Sequence, residues 1–96
     1  MHDHSLLILS AAEVKRALPM SQAIDVMKSA FHELSAGLAI VPPRTHVPVP
    51  EAGGDVLFMP AYSTPEGRFG LKVITLFENN RLIGLPFIQA LVTVFD

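Results

Sequence analysis

The sequence predicts an α+β domain, two helices followed by strands that form a mixed or antiparallel sheet. Three observations carry this reading. Ile24, Met27, Phe31, Leu34 and Leu38 recur at helical spacing and form one apolar stripe. From Ile40 onward the apolar period falls to two, as in strands. Half of the 96 residues are hydrophobic and only 17% are charged, a composition that packs rather than staying unfolded.

The elements follow in order. Leu6-Leu7-Ile8-Leu9 reads as a short strand running into the capping box Ser10-Ala11-Ala12-Glu13. Pro19 stops that first helix after Leu18. Ser21 is placed to cap a second helix, which carries the stripe on one side and Asp25, Lys28, Ser29, His32 and Glu33 on the others. Gly37 begins its unwinding. Residues 45–49 alternate, residues 51–55 turn, and residues 56–59 are strand-like. Thr64-Pro65-Glu66-Gly67 supplies turn chemistry, residues 71–77 form a strand, and residues 78–81 make a polar loop. A nine-residue apolar strand spans residues 87–95. Together the two helices are expected to pack on the sheet as one small domain, residues 1–96.

Composition removes several classes of function. Seven Lys+Arg against nine Asp+Glu give a net charge of −2 with no basic stripe, which argues against nucleic-acid binding. Without cysteine there are no disulfides, thiolate metal sites or cysteine nucleophiles. The start lacks a cationic segment, and no stretch approaches the ~18–20 apolar residues of a membrane span. A soluble, cytoplasmic protein is expected. His2 and His4 form a His-x-His, but two ligands do not close a metal site, so none is expected. Gly67-Arg68-Phe69-Gly70 matches neither phosphate-binding glycine pattern, and nothing marks Ser63 as an activated nucleophile.

Two cations remain. Lys72 lies within Gly70-Leu71-Lys72-Val73-Ile74-Thr75-Leu76-Phe77 and, by strand alternation, shares its face with Ile74 and Leu76. An ammonium among aliphatic neighbours is costly unless it reaches water, a carboxylate or a bound anion. Arg44 stands in the extended segment Val41-Pro42-Pro43-Arg44-Thr45-His46, with His46 on the same extended face. The functional reading is a guanidinium clamp on a substrate carboxylate, with Lys72 as second cation or proton donor. The plainer alternative is a surface arginine and a lysine whose stem lies along apolar surface.

At these residues the chain resembles the ornithine cyclodeaminase/mu-crystallin family. The segments that carry the likeness are Leu6-Leu7-Ile8-Leu9-Ser10, Pro42-Pro43-Arg44, Met59-Pro60-Ala61-Tyr62, Gly70-Leu71-Lys72-Val73-Ile74-Thr75 and Gly84-Leu85-Pro86 with the following strand. The resemblance implies a homodimeric enzyme whose α+β domain supplies the dimer interface and part of the substrate pocket. A separate Rossmann domain in that family binds NAD or NADP. The activities implied are ornithine cyclodeamination, ketimine reduction, and redox chemistry on alanine and other amino acids. The resemblance further implies that Arg44 binds the substrate carboxylate and that Lys72, the catalytic candidate, lies beside the reacting carbon.

Because the Rossmann domain would lie beyond Asp96, the chain is expected to be the amino-terminal portion of such an enzyme. On its own it should hold no dinucleotide and be inactive. Many relatives carry Thr-His or Ser-His after the Gly-Leu-Pro motif, where this chain has Phe87 and Ile88. That exchange points to an apolar or cyclic substrate, and the stretch from Lys72 to Glu78, Lys-Val-Ile-Thr-Leu-Phe-Glu, is similar to the ketimine reductase branch. The final strand is apolar on both faces, so a piece of a longer protein, pairing with a second copy through the sheet, or both are expected. The alternative is a non-catalytic dimerisation or small-ligand-binding module complete at 96 residues. More remote is an interaction domain in which both cations only form ion pairs.

Overall fold

The computed structural model describes residues 5–96. The chain forms two compact units, one ending at His32 and one running from Glu33 to Asp96. The His2-x-His4 pair lies outside the described residues.

In the first unit, α1 (Ala11–Ala17) opens on the expected capping box. The Ser10 N–H donates to Glu13 Oε1 at 2.9 Å and the Glu13 N–H donates to Ser10 Oγ at 3.2 Å. Two amides without helical partners are thereby satisfied. α1 ends with Leu18 at its C-cap, as Pro19 requires. α2 (Met20–Ser35) starts one residue ahead of Ser21, so Ser21 is inside the helix and is not its cap. Its first backbone bond runs from the Ala23 N–H to the Pro19 carbonyl at 2.9 Å. Residues 6–9 form no strand, because no second strand pairs with them among the described residues. An apolar run becomes a strand only when another backbone takes up its N–H and C=O groups.

The second unit begins with the unwinding of α2. The Leu38 N–H reaches the Glu33 carbonyl at 2.9 Å and the Gly37 N–H reaches the Leu34 carbonyl at 3.3 Å. This is a Schellman motif, and it requires the left-handed Gly37, with φ of 75°. Five strands follow: β1 (Ala39–Ile40), β2 (Thr45–Val49), β3 (Gly54–Ser63), β4 (Arg68–Phe77) and β5 (Ile88–Phe95). Every pairing is antiparallel, which settles the sheet as antiparallel rather than mixed. β3 and β4 are longer than residues 56–59 and 71–77 alone would make them, and β1 carries no period-two signal to reveal it.

β3 is the spine of the sheet. β4 pairs along one side, with β5 beyond it, while β1 and β2 share the other side in tandem. β1 ends opposite Tyr62 and β2 begins opposite Phe58, so residues 59–61 of β3 have no partner there. Pro60 falls in this gap, which explains why a residue without an N–H sits inside a ten-residue strand. Residues 41–44, with Pro42 and Pro43, bridge the gap on the outside. The loop between β4 and β5 is a 3-10 turn (Glu78–Ile83) closed at Gly84 (φ 77°). Its ends are tied by Asn80 Nδ2, which donates to the Pro86 carbonyl at 3.1 Å.

No described residue is fully buried. β5 is exposed on both faces, with Leu91 and Val92 each 64% and Val94 67% exposed. Its ladder to β4 is reinforced by Phe69 and Phe95, directly opposed and stacked with ring centroids 4.7 Å apart.

Candidate functional site

The register of the sheet places the two candidate cations. Lys72 is centred in β4 between Met59 of β3 and Val92 of β5. Directly opposed residues share a face, so Lys72 stands with Ile74, Leu57 and Ala90, and then with Leu76 and Ile88. The aliphatic surroundings expected from alternation are present, although Lys72 is half-buried rather than enclosed.

Arg44 immediately precedes β2. Thr45, the first residue of β2, pairs with Phe58, one step from the Met59–Lys72 row, so Arg44 lies just outside the ladder at that end of β2. One strand separates the two, so their Cα atoms are about 10 Å apart by inter-strand spacing. Two such long side chains can meet over Met59. Among the described residues neither cation has a hydrogen-bond or ion-pair partner. The pair therefore does not fit a structural ion-pair role within this stretch.

The sheet adds two polar residues to the same face. His46 pairs with Leu57, and Asp55 pairs with Leu76 on one side and Pro48 on the other. The His46 Nε2–H donates to Asp55 Oδ1 at 2.5 Å. Asp55 is the functional candidate that the sequence reading places in a turn. Its signal is the hairpin: a 3-10 turn (Pro50–Ala52) closed by Gly53 (φ 65°) sets Val49 opposite Gly54. Counting back from there brings residue 46 diagonally across from residue 55.

Phe87 and Ile88 separate. Ile88 lies on the Lys72 face, opposite Leu76. The Phe87 carbonyl accepts from the Phe77 N–H at 3.0 Å, and the Arg81 guanidinium stacks 5.0 Å from the Phe87 ring. Only Ile88 contributes an apolar surface beside the two cations. Among the described residues no group of three His, Asp or Glu side chains is placed to hold a metal ion. Nor does any strand lead through a glycine-rich turn into a helix, so a dinucleotide pyrophosphate has no cradle within them. No helix here is long and apolar enough to cross a membrane.

The described residues thus form an antiparallel sheet whose β4 strand carries Lys72 among aliphatic side chains, with Arg44 at the near end of β2. Residues 4–96 match the family model for the ornithine cyclodeaminase/mu-crystallin family, and the chain belongs to that family. It is 32% identical over 91 residues to a Delta(1)-pyrroline-2-carboxylate reductase of Bacillus cereus, covering 95% of this chain and 28% of the relative. It is 36% identical over 92 residues to the mouse ketimine reductase mu-crystallin, covering 92% of this chain and 29% of that protein. Among solved structures it matches the Thermococcus litoralis Delta(1)-pyrroline-2-carboxylate reductase in complex with NADH and L-proline, with a TM-score of 0.88 and 33% identity. That match covers 95% of this chain and 28% of the reductase. The chain thus spans between a quarter and a third of the length of these relatives.

Proposed function

We propose that this chain supplies the substrate-carboxylate site of an NAD(P)-dependent enzyme acting on a small amino acid or cyclic imino acid. The observation that carries the proposal is Lys72, half-buried in mid-strand and unpaired among the described residues, with an equally unpaired Arg44 next to the start of β2, on the far side of β3. Arg44 grips the carboxylate through its planar fork, and Lys72 adds a second positive charge on the opposite side. Leu57, Met59, Ile74 and Ile88 provide an apolar bed for a ring.

Reduced nicotinamide supplies hydride in this class of chemistry. The residues here bind and orient the carbon that receives it, and Lys72 is the group available to carry a proton beside it. A second copy of the chain, meeting the first through the sheet, would cover the exposed side chains of β5. That homodimer is supported by the exposed apolar side chains on both faces of β5, which is an edge strand among the described residues.

Titration of L-proline and pyrroline-2-carboxylate, followed by NMR, tests the site. Removing a charge-assisted contact costs roughly 1.5–3 kcal/mol, so Arg44→Ala is expected to weaken binding by about 10- to 150-fold. In the whole enzyme the same variant raises KM, whereas Lys72→Ala lowers kcat more than it raises KM. Equal affinity in wild type and Arg44→Ala would rule out the carboxylate role.

A further inference from the structure

Asp55 is the sole carboxylate among the residues of the five strands, and its placement on the Arg44–Lys72 face is therefore informative. A zwitterionic substrate needs more than cations: its nitrogen carries N–H donors that must be received when it leaves water. The residue beside Arg44 on this face is His46, two positions along and about 7 Å away by strand rise. Its Nε2–H is committed to Asp55 Oδ1 at 2.5 Å. When the imidazole is neutral, a carboxylate on Nε2 fixes the proton there and leaves Nδ1 as a hydrogen-bond acceptor. Among the described residues nothing occupies Nδ1.

We propose that His46 Nδ1 accepts a hydrogen bond from the substrate nitrogen, and that Asp55 is the positioning residue that fixes the imidazole tautomer and its angle. The inference rests on the carboxylate site proposed above. A carboxylate held between Arg44 and Lys72 has its alpha nitrogen only two bonds away from the carboxyl carbon. Leu57, Met59, Ile74 and Val92 offer no acceptor side chains, and of the two acceptors on that face His46 is the nearer, since Asp55 lies four residues along β3 from Met59. The arrangement would favour amino and imino acids over plain carboxylic acids of the same shape. It is the second half of a recognition whose first half is the pair of cations.

The test compares L-proline with cyclopentanecarboxylate, which keeps the ring and the carboxylate and lacks the nitrogen. Wild type is expected to prefer L-proline by about fivefold, the worth of one hydrogen bond at a half-exposed site. His46→Leu brings the ratio of L-proline to cyclopentanecarboxylate affinity to about one, and His46→Gln, which restores an acceptor, recovers part of the preference. Asp55→Ala reduces the preference without removing Nδ1. On the unmodified protein, the ring nitrogen resonances of His46 provide a readout that no folding defect can mimic. L-proline shifts the Nδ1 signal and cyclopentanecarboxylate does not. A preference that survives His46→Leu, or an Nδ1 signal indifferent to L-proline, overturns the proposal. If instead cyclopentanecarboxylate binds equally to wild type and Arg44→Ala, the carboxylate site itself is wrong, and this inference falls with it.

Discussion

Gly54 opens β3 directly opposite Phe77, and an added methyl group there has nowhere to go. A Cβ built on Gly54 lies 2.3 Å from Cδ1 of the Phe77 ring and 2.5 Å from the backbone oxygen of Leu76. Ordinary carbon contacts sit at about 3.5–4.0 Å, so both overlaps exceed an ångström. The ring can swing aside at about 0.5–1.5 kcal/mol for an off-rotamer side chain. The Leu76 carbonyl cannot move without opening the β3–β4 ladder, and forced overpacking of this kind costs about 1–3 kcal/mol. Alanine also restricts the unfolded chain, which returns about 0.4–1 kcal/mol. The balance for Gly54→Ala is a loss of about 2 kcal/mol, close to a thirtyfold change in the folded-to-unfolded ratio. Urea denaturation reads this directly, with Gly70→Ala as the control, because a Cβ at Gly70 meets only the Thr93 oxygen at 3.5 Å. A Gly54→Ala protein within about 0.5 kcal/mol of wild type, the usual range for innocuous surface substitutions, would refute the steric argument.

The capping box gives a pH prediction. The Glu13 carboxyl is held below its ordinary value by the Ser10 N–H and then by the Ser10 side chain. Its contribution to stability is therefore full above the unfolded-state pKa and is lost as pH falls through the lower folded one. NMR titration should place Glu13 below the ordinary glutamate value, and Ser10→Ala should move it back up. Phe95→Leu keeps most of the apolar bulk but removes the ring stacked on Phe69, and should cost about 0.5–1.5 kcal/mol, measured by denaturation. A Phe95→Leu protein as stable as wild type would deny the stacking any role.

How much of this was legible in the chain depends on how local each signal is. The Ser10–Glu13 box, the stop at Pro19 and the left-handed Gly37 are decided within a few residues, and the structure repeats them. Lys72 sharing a face with Ile74 and Leu76 follows from alternation alone. By contrast, the apolar run at residues 6–9 has strand composition and no strand to join. The length of β3 was hidden because Pro60 looks like a terminator, and only the gap between β1 and β2 makes it tolerable. The His46–Asp55 pair was out of reach for the same reason. It depends on the register of a hairpin, and a slip of one residue would send either side chain to the other face. Arg44 and Lys72 stand out as types in the sequence, whereas their lying on either side of β3 is a property of the pairing.

The two margins of the sheet are unequal. One is made of a two-residue strand, a proline-bearing strand and the bridge through Pro42 and Pro43. The other is a single eight-residue strand with neither proline nor charge. Among the described residues, backbone-to-backbone addition is therefore open along β5 and hindered on the other margin. Two copies joined along β5 would each use up that edge, so such an association would close at two.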